Sequence, residues 1–331
     1  MKYVNLNNIL LIFLLFGGIL FSFIGGYGSD EDTLALIGAY ESMLGGGKLM
    51  ASRFTPYPVA ELGIGFLSYQ FGSWSVNLLT FIFMFLSGIF FYLGIDIKFK
   101  NKNIFLFLIL ILSNPVLYFD NLEPIDYSWA LLPLCLGLFF LKKKYYEIAI
   151  IFFGISIGSR IYFFLFLIPI IFLFSEYYKV NLTRKVLIFL GSFFIGGLFY
   201  LPFWFESGFS LHWLTAATPY DQGFTGIISR FFYKIIMSFS FITFFCIIFL
   251  LFINLKRLNN LKYSKILIGI ILINLIIFLF IPAELSYLQP SLLAFYFLIF
   301  LNFKKQLIYS LICLHFLSWV IEFQPLKIYY K

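Results

Sequence analysis

Long apolar runs alternate with short polar segments along the whole chain. Several of these runs approach the ~20 residues that a helix needs to cross a bilayer. This pattern is typical of membrane proteins, whose spanning helices satisfy their own backbone hydrogen bonds. We predict about eleven spans, at residues 8–26, 75–95, 104–119, 127–141, 145–158, 161–175, 187–203, 231–254, 266–282, 288–303 and 306–321.

The composition restricts the class of protein further. Of the 331 residues, 62% are hydrophobic and only 11% are charged, whereas about a quarter of a typical water-soluble domain is charged. The net charge is +8, but the basic residues form short clusters between apolar runs, which is the positive-inside pattern and not a nucleic-acid surface. We therefore predict an all-α, polytopic transmembrane helical bundle that contacts membrane lipids. Residues 1–331 are expected to form a single membrane-embedded domain without a separate soluble domain.

The charges also predict an orientation. Most basic residues fall in the segments on one side, which places that side in the cytoplasm, and most acidic residues fall on the other side. Acids contribute little to orientation, so their bias indicates chemistry on the outer face. The abundance of Lys, Ile, Asn and Phe indicates an AT-rich bacterial genome. We expect a bacterial inner-membrane protein whose active site faces the periplasm.

The first loop, residues 27–74, begins with three consecutive acids, which we call the acid triplet: Asp30, Glu31 and Asp32. A local explanation exists, because Ser29 is a good N-cap and the helix dipole stabilises acids in a first turn. Five residues share one face at helical spacing, which would aim Asp30 inward: Asp30, Leu34, Ile37, Glu41 and Leu44. Residues 57–71 are apolar but too short to span, so we expect them to lie in the membrane interface.

The second loop, residues 120–126, carries Asp120, Glu123 and Asp126 in the stretch SNPVLYFDNLEPIDYSW. Alone it would be an ordinary solvated turn. With the triplet on the same side, two convergent carboxylate groups could hold a divalent cation, Mg²⁺ or Mn²⁺, or divide general-base and orienting roles. The candidate metal ligands are Asp30, Asp32 and Asp120.

The role of several isolated basic residues has two possible interpretations. Arg160 stands between two apolar runs, where it either snorkels to headgroups or binds an anionic headgroup. Arg53 and Arg230 are weaker candidates of the same kind. His212 is either a structural loop residue or a group that binds a hydroxyl or transfers a proton. His315, in the last span, is interpreted as a hydrogen-bonded packing residue.

The sequence contains no P-loop, no GxGxxG on a strand-helix unit, no HExxH and no cysteine metal motif. The sequence therefore offers no motif that would support a mechanism with a nucleotide cofactor.

The amino-terminal half resembles the GT-C superfamily of integral membrane glycosyltransferases, which use polyprenyl- or dolichyl-phosphate-linked sugars. The resemblance rests on four stretches: SDEDTLALIGAYESMLGGGKL, SRFTPYP, SNPVLYFDNLEPID and GSRIYFFLFLIP. It implies a GT-C-like bundle with juxtamembrane helices in the first loop. It implies catalytic roles for the triplet (Asp30, Glu31, Asp32) and for Asp120 or Asp126, and it agrees with substrate binding by Arg53, Tyr57 and Arg160. Glu123, His212 and Arg230 are further substrate-binding candidates because of their residue types and their positions in the outer segments.

The resemblance implies an inverting hexosyl or pentosyl transfer on the outer face. One acid of the triplet, with Asp30 as the leading candidate, would deprotonate the hydroxyl of a glycan, lipid or protein acceptor. Arg160 or a metal would stabilise the negative charge of the phosphate leaving group. Two alternatives stay open. A lipid-linked glycan polymerase or ligase would depend more on loop Arg and His residues, and a lipid flippase or transporter would need ionisable groups at mid-membrane.

Overall fold

The computed structural model of the protein describes residues 6–28, 31–46, 52, 56–95, 103–174, 180–206, 223–258, 264–281 and 284–323. Within these ranges every regular element is a helix. The prediction of an all-α fold is therefore confirmed for the described part of the chain.

The α-helices are α1 (Leu6–Ile24), α2 (Glu31–Leu44), α3 (Pro58–Phe71), α4 (Ser73–Gly94), α5 (Ile104–Ser113), α6 (Pro115–Phe119), α7 (Tyr127–Lys142), α8 (Tyr146–Ser159), α9 (Leu182–Glu206), α10 (Gly223–Ser238), α11 (Phe241–Leu258), α12 (Ser264–Phe280), α13 (Gln289–Asn302) and α14 (Lys305–Ser318). Short 3₁₀ segments lie at Asp120–Leu122, Ile161–Phe166 and Leu285–Leu288, and π-helical turns at Ile168–Phe174 and Trp319–Phe323.

Within the described residues, four helical segments are long and apolar enough to cross a membrane, namely α1, α4, α9 and the continuous segment Leu285–Asn302. The number becomes six if each of two sharply bent pairs counts as one span, α5 with Pro115–Leu122 and α10 with Phe241–Phe249. The other predicted spans correspond to shorter apolar helices of 10–17 residues. The structure thus defines a helical membrane protein with four to six clear spans, and the count of eleven stays a prediction.

The chain divides into two compact units. Unit 1 comprises residues 1–20, 97–120 and 220–331, and unit 2 comprises residues 21–96 and 121–219. Most of the residues singled out in the first and second loops belong to unit 2, whereas Asp120 and Arg230 belong to unit 1.

Unit 2 is built on a row of packed helices in which α4 contacts α7, α7 contacts α8, and α8 contacts α9. Glycines permit the α8–α9 contact, because a β-carbon at Gly154 would lie 2.5 Å from a side-chain carbon of Ile195 and 3.3 Å from the backbone nitrogen of Gly196. Such close approach through small residues is the usual way in which helices associate in lipid.

Helices α2 and α3 of the first loop pack against each other within unit 2. The prediction of the inward face of α2 is wrong. Among the described side chains of this helix, Leu34 and Leu44 are exposed, whereas Thr33 and Leu36 are buried. Leu36 joins a core cluster with Ile64 of α3 and other apolar residues. The apolar pattern is misleading here because an apolar side chain of a membrane protein can face lipid as easily as it faces the core.

In unit 1, the two bent spans meet at their breaks. Asn114 separates α5 from α6, and its amide nitrogen donates to the carbonyl of Ser238 at the end of α10, at 2.9 Å. The same nitrogen donates to the Tyr296 hydroxyl at 2.9 Å, which in turn contacts Nε2 of His315 at 2.9 Å. Nδ1 of His315 contacts Ser113 at 2.9 Å. This confirms the interpretation of His315 as a hydrogen-bonded packing residue.

Candidate functional site

Several predicted site residues lie outside the described residues, namely Asp30, Arg53 and His212, and so do the side chains of Glu31 and Asp32. The predicted helix at the triplet is present as α2, which spans Glu31–Leu44, and the predicted N-cap Ser29 lies outside the described residues. The roles of these five residues stay predictions. The other candidates are described, and the structure distributes them over three environments.

The first environment is a buried ion pair in unit 2. Arg160 donates from Nε to Oδ2 of Asp126 at 2.7 Å and from Nη2 to Oδ1 at 2.6 Å. Both side chains are buried, with Arg160 0% and Asp126 1% exposed. Two parallel bonds of this kind form the strongest geometry available to an arginine and a carboxylate.

Aromatic rings enclose the guanidinium group of Arg160. Its central carbon lies 3.2 Å from the centroid of the Tyr127 ring and 4.6 Å from that of Tyr57. Its Nη1 donates to the hydroxyl of Tyr162. The rings and the carboxylate together satisfy a charge that lies away from solvent, which is the condition under which a buried cation is tolerated.

Helix ends explain why these side chains meet. Asp126 immediately precedes α7 and Arg160 immediately follows α8, so packing of the two helices brings both residues to one end. Hydrogen bonds set the register, because Ser156 Oγ on α8 donates to the Ala130 carbonyl on α7 at 2.7 Å. Arg160 itself has extended backbone, with φ −153° and ψ 115°, which ends α8.

Tyr57 connects this ion pair to the first loop. It precedes α3, and its backbone nitrogen donates to Oε1 of Glu61 at 3.2 Å. The same oxygen accepts a hydrogen bond from the Ser52 hydroxyl at 2.6 Å, and Glu61 is buried. Sequence reasoning missed Glu61, although an acid three residues after Pro58, in the first turn of a helix, is a recognisable N-terminal signal.

The second environment is the contact between the two loops. The carboxylate of Glu123 packs directly on Gly28, where a β-carbon would lie 2.5 Å from Cδ and 2.7 Å from Oε2. The hydroxyl of Thr33 donates to the Pro124 carbonyl at 3.3 Å. The described residues on both sides of the acid triplet therefore contact the second loop.

The third environment lies in unit 1. Asp120 ends the bent pair after α6, and Arg230 lies on α10. Both residues, together with Glu284, interact electrostatically with Lys234, which lies one turn after Arg230 on α10. Sequence reasoning did not single out Lys234, because it follows an aromatic stretch that reads as part of a span.

The candidate cation requires ligands that these environments do not assemble. Among the described side chains, no group of three or more His, Cys, Asp or Glu residues could hold a metal ion. Both carboxylate oxygens of Asp126 accept hydrogen bonds from Arg160. A divalent cation therefore stays a prediction that rests on Asp30, Asp32 and Asp120.

The described helices and their apolar surfaces define the class, an integral membrane protein of the helical type. No family model, no curated protein and no solved structure matches the chain. The function of the protein is therefore inferred from the residues and contacts of this chain alone.

Proposed function

We propose that the protein is a GT-C-type membrane glycosyltransferase that moves a sugar from a polyprenyl-phosphate donor to a hydroxyl acceptor. The observation that carries the proposal is the contact between the two loops. Gly28 and Thr33, which flank the acid triplet, touch Glu123 and Pro124 of the second loop. A general base needs a fixed position within hydrogen-bond reach of its proton, and this contact supports such a position for the triplet.

The chemistry follows from the charges. A triplet carboxylate accepts the proton of the acceptor hydroxyl as its oxygen attacks the anomeric carbon, and the bond to the phosphate oxygen breaks. The departing lipid phosphate carries negative charge and needs a cationic partner. Arg160 is one candidate, but its recruitment would break the buried pair with Asp126. Arg53 in the first loop is another candidate, and no hydrolysis of a nucleotide is needed.

The architecture of the first loop also supports this class. Helices α2 and α3 have 14 residues each, and at 1.5 Å per residue each extends about 21 Å, too short to cross the ~30 Å hydrocarbon core. They fit the role of juxtamembrane helices between α1 and α4. As parts of the same proposal, the chain forms one domain of eleven spans in a bacterial inner membrane, with its site on the periplasmic face.

The test uses purified full-length protein and a panel of polyprenyl-phosphate sugars, with and without EDTA, and measures which headgroup is consumed. Asp30→Asn should abolish transfer without loss of expression or folding. Glu41→Gln is the matched control, since Glu41 is an exposed acid on α2. Full activity of the Asp30 variant would remove the proposed base.

Two other outcomes would indicate a different class. Greater damage from Arg230→Ala and His212→Ala than from Asp30→Asn would favour a glycan polymerase or ligase. Movement of a lipid-linked substrate across liposomes by the purified protein, without sugar transfer, would favour a flippase.

A further inference from the structure

The three acids of the second loop have three different surroundings. Asp126 is buried and gives both oxygens to Arg160. Asp120 belongs to unit 1, where it interacts with Lys234. Glu123 is half-buried, belongs to unit 2 and packs on Gly28. Of the acids in the second loop, Glu123 is the one whose described contact lies beside the acid triplet.

The contact with Gly28 is specific to a residue without a side chain. Gly28 has φ +76°, in the left-handed region that favours glycine, and the space where a β-carbon would sit is filled by the Glu123 carboxylate. Gly26 has a similar φ of +60°, but a β-carbon there would meet nothing within 4 Å. The turn after α1 thus contains two glycines with a similar backbone requirement, and Gly28 also accommodates a carboxylate.

A second bond lies on the far side of the triplet. Thr33 is buried, and its hydroxyl donates to the carbonyl of Pro124, the residue after Glu123. Two adjacent residues of the second loop therefore contact the chain before and after the triplet.

We infer that Glu123 is a positioning residue for the triplet, in a role that rests on the proposed function. Its carboxylate fixes the chain at Gly28, while the carbonyl of Pro124 fixes the chain at Thr33. Catalytic geometry is sensitive to such support, because a displacement of about 1 Å can cost about 100-fold in rate.

The steric test compares Gly28→Ala with Gly26→Ala. The added methyl group at position 28 displaces the flexible end of Glu123, so kcat for sugar transfer should fall about 10-fold or more at a nearly constant KM for the donor. Gly26→Ala introduces similar backbone strain and should stay within about 2-fold of wild type. Equal losses in the two variants would mean that backbone strain alone is responsible, and the inference would be wrong.

A double variant tests whether both residues act through one contact. Glu123→Ala should lower kcat as well, and Gly28→Ala combined with Glu123→Ala should be no worse than Glu123→Ala alone. Losses that multiply would show two independent effects and overturn the inference.

The contact can be tested without activity. A protein with cysteines at positions 28 and 123 should form an intramolecular disulfide on oxidation, whereas cysteines at positions 26 and 123 should not. Formation of the 28–123 disulfide, together with no sugar transfer by the wild-type protein, would refute the proposed function and leave the contact standing. Failure of the 28–123 pair to form, with wild-type activity present, would refute the positioning role alone.

Discussion

Removal of the Asp126 carboxylate should destabilise unit 2 strongly. In Asp126→Ala, Arg160 would keep its charge, because a guanidinium group is not deprotonated in proteins. It would stay in a site where it is 0% exposed, in contact with the rings of Tyr57, Tyr127 and Tyr162.

The magnitude follows from the geometry. Two charge-assisted hydrogen bonds, at 2.7 and 2.6 Å, are lost, and each contributes about 1.5–3 kcal/mol. Breaking a buried pair on one side typically costs about 3–5 kcal/mol. Arg160→Ala would instead leave the Asp126 carboxylate without these two bonds, and it would also lose the contacts with the rings. In the double variant no charge is stranded, so its loss should fall short of the sum by at least about 2 kcal/mol.

The assay is reversible unfolding in mixed micelles. The circular dichroism signal of the helices is measured as the fraction of denaturing detergent in the micelles increases. Glu147→Ala serves as the control, because Glu147 is an exposed acid in the first turn of α8. A coupling energy below about 1 kcal/mol, the level of solvent-exposed pairs, would refute the reasoning.

Two further predictions concern packing and are measured by the same unfolding assay. Gly154→Ala should lower the free energy of unfolding by about 1–3 kcal/mol, because its methyl group would lie 2.5 Å from a side-chain carbon of α9. Gly197→Ala is the control and should be neutral or stabilising, because a β-carbon there would meet nothing within 4 Å. Equal effects of the two substitutions would contradict the close α8–α9 contact. Tyr296→Phe should lower the free energy of unfolding by about 1–3 kcal/mol, because it removes the hydroxyl that accepts a hydrogen bond from Asn114 and contacts His315. A loss below about 0.5 kcal/mol would contradict this prediction and show that water replaces the hydroxyl.

The candidate site divides into parts that the sequence could and could not predict. A lone Arg160 between apolar runs indicated a residue with a special role, and two acid clusters indicated where chemistry could lie. The partner of Arg160 was not predictable, because Asp126 is 34 residues away and the pair depends on how α7 packs on α8. The fit of Glu123 on Gly28 joins positions 95 residues apart and likewise depends on the fold.

The sequence by itself determined the helical membrane class, because apolar runs of this length and number leave helices as the way to satisfy the backbone in lipid. It also predicted a helix at the acid triplet, and α2 spans Glu31–Leu44. Tertiary packing alone decided that α2 buries Thr33 and Leu36 and that Arg160 pairs with Asp126. In lipid, an apolar side chain is equally compatible with the core and with the surrounding membrane, so hydrophobic periodicity does not fix the inward face. That choice is made by steric fit and by the pairing of the few polar groups.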